Sequence, residues 1–458
     1  MKEILLNAFC MNAVAHTHQG LWRHPRDRSA EYTDIGFWIR FAQVLEEGMF
    51  DGIFMADGLG VYDVYQGSAA PSLRSAVMIP KNDPSLLVSA MAAATRHIGF
   101  GITCNVADEA PYAFARKMST LDHLTKGRMG WNIVTGFLDS AARARGDDRQ
   151  MAHDERYDAA DEYMDIVYRL WEASWEDGAM LRDAASGVYV NADKVHRVRH
   201  DGRYFRVDAI HMSEPSPQRT PLLYQAGTSP RGIEFAARHS ECVYVSGATP
   251  ERVGVKVKKL RDAVVAAGRN ANDVKVFVSL DTVVGKTDAE ARDKHEEYSR
   301  YLDPVGALVR LSGFIGIDMS QLDPDEPIRQ LPSNGIQTIL ENLAAGNADK
   351  GWTVRDVTNS LRIGGANPVA VGSPATIADI MQRWVDVADV DGFNLPSHVK
   401  PESMEDFVRL VVPELQSRKV FKTAYKPGSL REKMFGSPHT LPGHPSARVR
   451  RQAGQAAP

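Results

Sequence analysis

The sequence predicts an α/β protein, a (β/α)8 TIM barrel with insertions after the fourth helix and after the seventh strand. Three observations carry this expectation. Short apolar, β-branched runs alternate with amphipathic helical stretches, the pattern of βαβ units around a parallel sheet. The runs number eight, the strand count of such a barrel. A chain of 458 residues with 43% hydrophobic content can bury one large core, and barrels with insertions reach this length.

In chain order the expected strands are EILLNAF from Glu3, GIFMAD ending at Asp57, IGFGITCNV from Ile98 and MGWNIVTG from Met129. PLLYQAG from Pro221, CVYVSG from Cys242, VKVFVSL from Val274 and DGFNL from Asp391 complete the eight. Helices are expected over Leu86–Thr95 and Ala113–Leu124, and from Glu155, where Ala160, Met164, Val167 and Trp171 recur at helical spacing. Two more cover Ser229–His239 and Ala375–Val387. Two stretches break this rhythm. Residues near 178–220 read as hairpin-like strands between the fourth helix and the fifth strand. Residues near 285–372 form a long polar, partly helical insertion on the carboxyl face, where barrel active sites are built. Residues 1–436 are taken as one barrel domain, and the Pro-, Gly-, Ala- and Arg-rich tail 437–458 is expected to lack fixed structure.

Composition narrows the function classes. A formal net charge of −4 leaves no basic stripe for nucleic acid. Three scattered cysteines, Cys10, Cys104 and Cys242, fit a reducing compartment better than a disulfide framework or a zinc site. The opening MKEILLNAFC is too short a run for a signal peptide, and no apolar stretch approaches the ~20 residues of a membrane span. A cytoplasmic protein with no membrane contact is expected, forming a homo-oligomer, dimer or tetramer.

Several constellations could carry chemistry. Gly58 and Gly60 follow a strand, but Asp63 stands where a dinucleotide fingerprint needs its third glycine, and no phosphate-loop motif occurs. QAGTSPRG (Gln225 to Gly232) closes a strand and opens a helix. Gly227, Thr228 and Ser229 there make either an ordinary helix cap or a site for one phosphate. HDERY sets His153 and Tyr157 at i and i+4 near a helix start, either a packed aromatic pair or two groups for a phosphate or hydroxyl. Asp57, Asn105, Asn132 and Thr135 lie at or near strand ends and face the carboxyl mouth. His16 and His18 form an H-x-H after the first strand, which invites a metal-dependent hydrolase. That reading lacks partners, because the fifth and sixth strands end in QAG and VSG and the eighth offers Asn394, so no metal ligands are assigned.

These residues resemble the bacterial-luciferase-like flavin monooxygenase superfamily. The matching stretches include GLWRHP, GMFDGIFMADGLGVYD, NDPSLLVSAMAAAT, LDHLTKGRMGWNIVTG, HDERYDAADEYMDIVYRLW and QAGTSPRGIEFAAR. Within the superfamily the chain looks like the branch holding nitrilotriacetate, dibenzothiophene-sulfone and dimethyl-sulfide monooxygenases, its first third resembling the last most. The resemblance implies a barrel that binds reduced FMN, supplied by a separate NADH:FMN oxidoreductase, and uses O₂ through a flavin 4a-hydroperoxide. Carried over, Asp57, Thr103, Asn105 and Asn132 would border the isoalloxazine. Tyr157 and Ser229, with His153 and Thr228 near, would bind the ribityl chain and phosphate. His18 is the candidate proton-handling catalytic group. The expected substrate is a small organosulfur compound such as dimethyl sulfide. A sulfone, an alkanesulfonate or an aminopolycarboxylate is the alternative, because Arg23, Arg143, Arg145 and Arg231 could line an anion pocket. Rival classes are the metal-dependent barrel hydrolase and a flavin-binding protein without catalysis.

Overall fold

The computed structural model describes residues 2–455 apart from 228, 329–335, 337–338, 340–350, 360 and 365–367. Strands β1 (Leu5–Met11), β2 (Gly52–Ala56), β3 (Gly99–Asn105) and β4 (Met129–Val134) run parallel around one half of a closed barrel. Two antiparallel hairpins follow, β5 (Met180–Asp183) with β6 (Val188–Val190) and β7 (Val198–Asp201) with β8 (Arg206–Ala209). They occupy the expected insertion before the fifth barrel strand. β9 (Leu222–Gln225), β10 (Cys242–Val245) and β11 (Lys275–Ser279) continue the barrel. After a side pair, β12 (Asp281–Val284) with β13 (Val369–Gly372), β14 (Gly392–Pro396) closes it against β1 and β11.

All eight expected barrel strands are present, because each is buried on both faces and reads as a continuous apolar run. Alternation then sorts the side chains. Leu5, Phe54, Leu222, Tyr224, Cys242 and Phe277 pack inside the barrel, whereas Leu6, Ala8, Ile53 and Met55 face the helices. Tyr224 fills so much of the interior that Gly130 is required opposite it, since a Cβ there would lie 2.5 Å from the ring. Leu430 and Met434, on the helix Leu430–Phe435, join the same interior cluster.

Three features go beyond the sequence reading. Helices Ile35–Glu47 and Pro250–Ala266 complete the outer ring where no helix was expected. Both start at a cap, Asp34 accepting from Gly36 N and Thr249 from Arg252 N. The tail expected to lack structure instead carries the helix Pro445–Gln455. Its composition offers little apolar area, but polar contacts dock it: buried His444 bonds the His239 carbonyl at 2.8 Å, and Arg450 pairs with Asp177 at 2.8 Å. In the insertion 285–372, helices Asp288–Ser299 and Pro304–Ile315 are seen, and much of the remainder lies outside the described residues.

Candidate active site

A cavity of about 250 Å³ opens at the carboxyl ends of β2, β3, β4 and β9. Its floor and walls combine three elements. Asp57 and Asn105 come from strand ends, Thr135 from the loop after β4, and Gln225 and Gly227 from the end of β9. His153 and Tyr157 project from the first turns of the helix His153–Glu172. Ser229 caps the helix Pro230–His239, its Oγ accepting from Gly232 N at 3.1 Å.

Around Ser229 the parts of QAGTSPRG and HDERY converge. The Ser229 Oγ lies 3.5 Å from His153 Nε2, and the His153 and Tyr157 rings meet edge to face at 5.3 Å. A Cβ on Gly227 would lie 2.6 Å from the Tyr157 hydroxyl and 2.3 Å from Gln225 Nε2. A Cβ on Gly232 would lie 2.9 Å from the same hydroxyl. Both glycines are therefore set by the close approach of Tyr157. Burial pushes the Tyr157 phenol above its usual pKa, which keeps it protonated and able to donate. Gln225 Oε1 and Asn132 Oδ1 are buried acceptors with no hydrogen-bond partner among the described residues.

The strand-end residues divide. Asn105 donates to Asp108 at 3.0 Å and faces the cavity. Asp57 also faces it, 4.0 Å from Lys81 Nζ, and burial raises its carboxyl pKa. Thr103 and Asn132 are register partners on β3 and β4, joined at 3.0 Å; both are buried and neither lies on the cavity wall. Thr228 lies outside the described residues. His18 is also away from the wall: it lies in the loop after β1, against His398 and Asp281.

The sequence reading left out Lys81 and Arg156, which line the cavity, and gave Gln225 no role. Arg156 and Gln225 sit inside the two motifs already singled out, so proximity could have found them. Lys81 had no such signal, since it arrives from a loop after β2, where its Nζ donates to the Gly58 carbonyl. Apolar side chains complete the cavity, namely Met11, Leu59, Tyr62, Met78, Phe137 and Leu138. Tyr62, Phe137 and Phe314 form a mutual aromatic cluster above them, at 5.7–6.3 Å between centroids.

Residues 13–389 match the family described as luciferase-like monooxygenase. The chain belongs to that family. It is 48% identical over 451 residues to dimethyl-sulfide monooxygenase of Hyphomicrobium sulfonivorans, covering 98% of this chain and 94% of the relative. To long-chain alkane monooxygenase of Geobacillus thermodenitrificans it is 44% identical, covering 98% of each. A solved riboflavin lyase, holding modified FMN and riboflavin, superposes with a TM-score of 0.92 at 35% identity, over 98% of this chain and all of that one. This luciferase-like monooxygenase is thus a flavin-dependent oxidoreductase. Among the described residues, no helix is long and apolar enough to cross a membrane.

Proposed function

We propose that this luciferase-like monooxygenase binds reduced FMN in the cavity and uses O₂ to oxygenate a small, neutral organosulfur compound of the dimethyl-sulfide kind. The observation that carries the reading is a cavity with a polar end at Ser229 and Tyr157 and an apolar end at Tyr62 and Phe137. The polar end suits one phosphate: a helix N-terminus, a capping hydroxyl and a protonated phenol converge where two glycines leave room. The orphaned acceptor of Gln225 suits a flavin or ribityl donor. Bound reduced flavin supplies the electrons that activate O₂. The chain's task is to hold it, orient it and exclude water, and the Tyr62, Phe137 and Phe314 rings serve the last need.

Two physical points favour a small neutral substrate. The part of the cavity lined by Met11, Leu59, Met78, Phe137 and Leu138 is apolar, and the flavin ring must share it with the substrate. The four arginines singled out from the sequence are engaged elsewhere. Arg143 pairs with Asp63, Arg145 with Asp108, and Arg231 with Asp158 and Asp161, while Arg23 donates to the carbonyls of Gly20 and Tyr301. The similarity to dimethyl-sulfide monooxygenase supports the same substrate class. A second reading, an alkane, is favoured by the same apolar lining and by the alkane monooxygenase relative.

A panel assay decides between them. With reduced FMN regenerated by a reductase, dimethyl sulfide should be turned over. A dialkyl sulfone, an alkanesulfonate, an aminopolycarboxylate and a long-chain alkane should give little product by mass spectrometry. Turnover confined to the alkane or to the anions would overturn the substrate assignment and leave the flavin site standing.

The electrons are assigned to a separate NADH:FMN oxidoreductase. The chain has no dinucleotide fingerprint, and the phosphate-binding end of the cavity is given to FMN. Purified protein with NADH, FMN and O₂ should consume NADH no faster than a protein-free blank. Adding a flavin reductase, or dithionite in place of NADH, should start turnover. Rapid NADH loss with this chain alone would refute the two-component assignment.

A further inference from the structure

Away from the flavin cavity, the carboxyl ends of three adjacent barrel strands bring together His18, Asp281 and His398. His18 lies in the loop after β1, Asp281 two residues beyond β11, and His398 two residues beyond β14. Because β14 pairs with both β1 and β11, these three positions converge on one side of the mouth. Their ligand atoms all lie within 4.8 Å of one another. His398 Nε2 is 3.5 Å and His18 Nε2 3.9 Å from the same oxygen, Asp281 Oδ1.

The decisive group is His398. Its side chain is fully buried, and neither ring nitrogen has a hydrogen-bond partner among the described residues. A neutral imidazole carries one N–H and one lone pair, so one of these two nitrogens is available as a lone-pair donor. The 3.5 Å gap to Asp281 exceeds the about 2.7–2.9 Å of a charge-assisted hydrogen bond. An orphaned, buried imidazole aimed at a buried carboxylate calls for an ion or water between them. His18 is already in the matching tautomer. Gly364 N donates to its Nε2 at 3.2 Å, which makes Nε2 the lone-pair nitrogen, a lone pair that the metal would take over from Gly364 N, and Nδ1 sits 2.9 Å from Thr17 Oγ1. That second contact is the outer-shell bond that orients a ligating histidine.

We propose that His18, Asp281 and His398 form a site for a divalent transition metal that ties the loops after the first, seventh and eighth barrel strands together. Metal bonds of about 2.0–2.2 Å put neighbouring tetrahedral ligands about 3.4 Å apart, so the observed 3.5 and 3.9 Å need only a small contraction. Two imidazoles and one carboxylate select a borderline metal such as Zn²⁺ or Co²⁺ over Ca²⁺ or Mg²⁺. Complete burial of Asp281 and His398 marks the site as a clamp with no approach for substrate. The site is independent of the flavin assignment.

The test uses the full-length chain with any affinity tag removed, stripped by chelator and desalted. Titration with Zn²⁺ or Co²⁺ should show one equivalent bound by elemental mass spectrometry, with a tetrahedral-type Co²⁺ visible band and a rise in melting temperature. His18→Ala and His398→Phe should each weaken binding by at least ~10-fold and remove the temperature rise. Circular dichroism checks their fold. If His398→Phe fails to fold, the loop variant His18→Ala decides alone. No bound equivalent in the wild-type chain, or binding undiminished in His18→Ala, would overturn the site.

Discussion

Ser229→Asp should weaken FMN binding by roughly 1,000-fold while leaving the helix it caps intact. Aspartate is as good an N-cap as serine, so the bond to Gly232 N, 3.1 Å in the wild-type chain, survives the change. What changes is charge. A carboxylate set about 4 Å from a phosphate costs about 4 kcal/mol at an effective dielectric of about 20, which is close to three decades in affinity. Tyr157→Phe should cost less, about 1.5–3 kcal/mol, because it removes one bond to a charged group. Fluorescence quenching with FMN measures both variants. Riboflavin, which lacks the phosphate, provides the internal control and should bind Ser229→Asp nearly as it binds the wild-type chain. Equal FMN affinity in Ser229→Asp and wild type would remove the phosphate from this end of the cavity.

The second large effect is on stability. Arg431 is wholly buried on the helix Leu430–Phe435, with Nε and Nη2 at 2.7 and 2.9 Å from the two oxygens of Glu241. Nη2 also donates to the Thr220 and Pro221 carbonyls, at 2.8 and 2.9 Å. One guanidinium therefore fastens the helix Leu430–Phe435 to the starts of β9 and β10. Arg431→Ala should cost about 3–5 kcal/mol, since it leaves Glu241 buried without its cation. Arg431→Lys keeps the charge, loses the fork and should fall between. In a chain of this size unfolding is rarely two-state, so the comparison is an apparent melting temperature at one scan rate. A shift of less than a degree in Arg431→Ala would refute the account.

How far the candidate site was legible can be read from its residues. QAGTSPRG and HDERY announced themselves, because a helix N-terminus and an i, i+4 pair are local geometries. Their meeting was not local, since Ser229 and Tyr157 lie on different helices and only the barrel brings them together. Lys81 arrives on a loop with no periodic signal. His18 shows a different limit of local reading. As part of an H-x-H its partner appeared to be His16, yet the structure turns His16 against Phe9 at 4.4 Å and sets His18 beside His398 at 4.8 Å. The tail failed for a related reason, because composition registers apolar area and not the specific bonds of His444.

By itself the sequence determined the barrel, its eight strands and the place of both insertions. Burial on two faces, helical periodicity and turn chemistry are written within short windows of chain. It also determined which local motifs could bind an anion. The tertiary structure alone decided which of them share a cavity, which arginines are already neutralised and which histidines face each other. Those outcomes depend on contacts between residues separated by tens to hundreds of positions. Closure of the barrel sets such contacts, and no single segment encodes them.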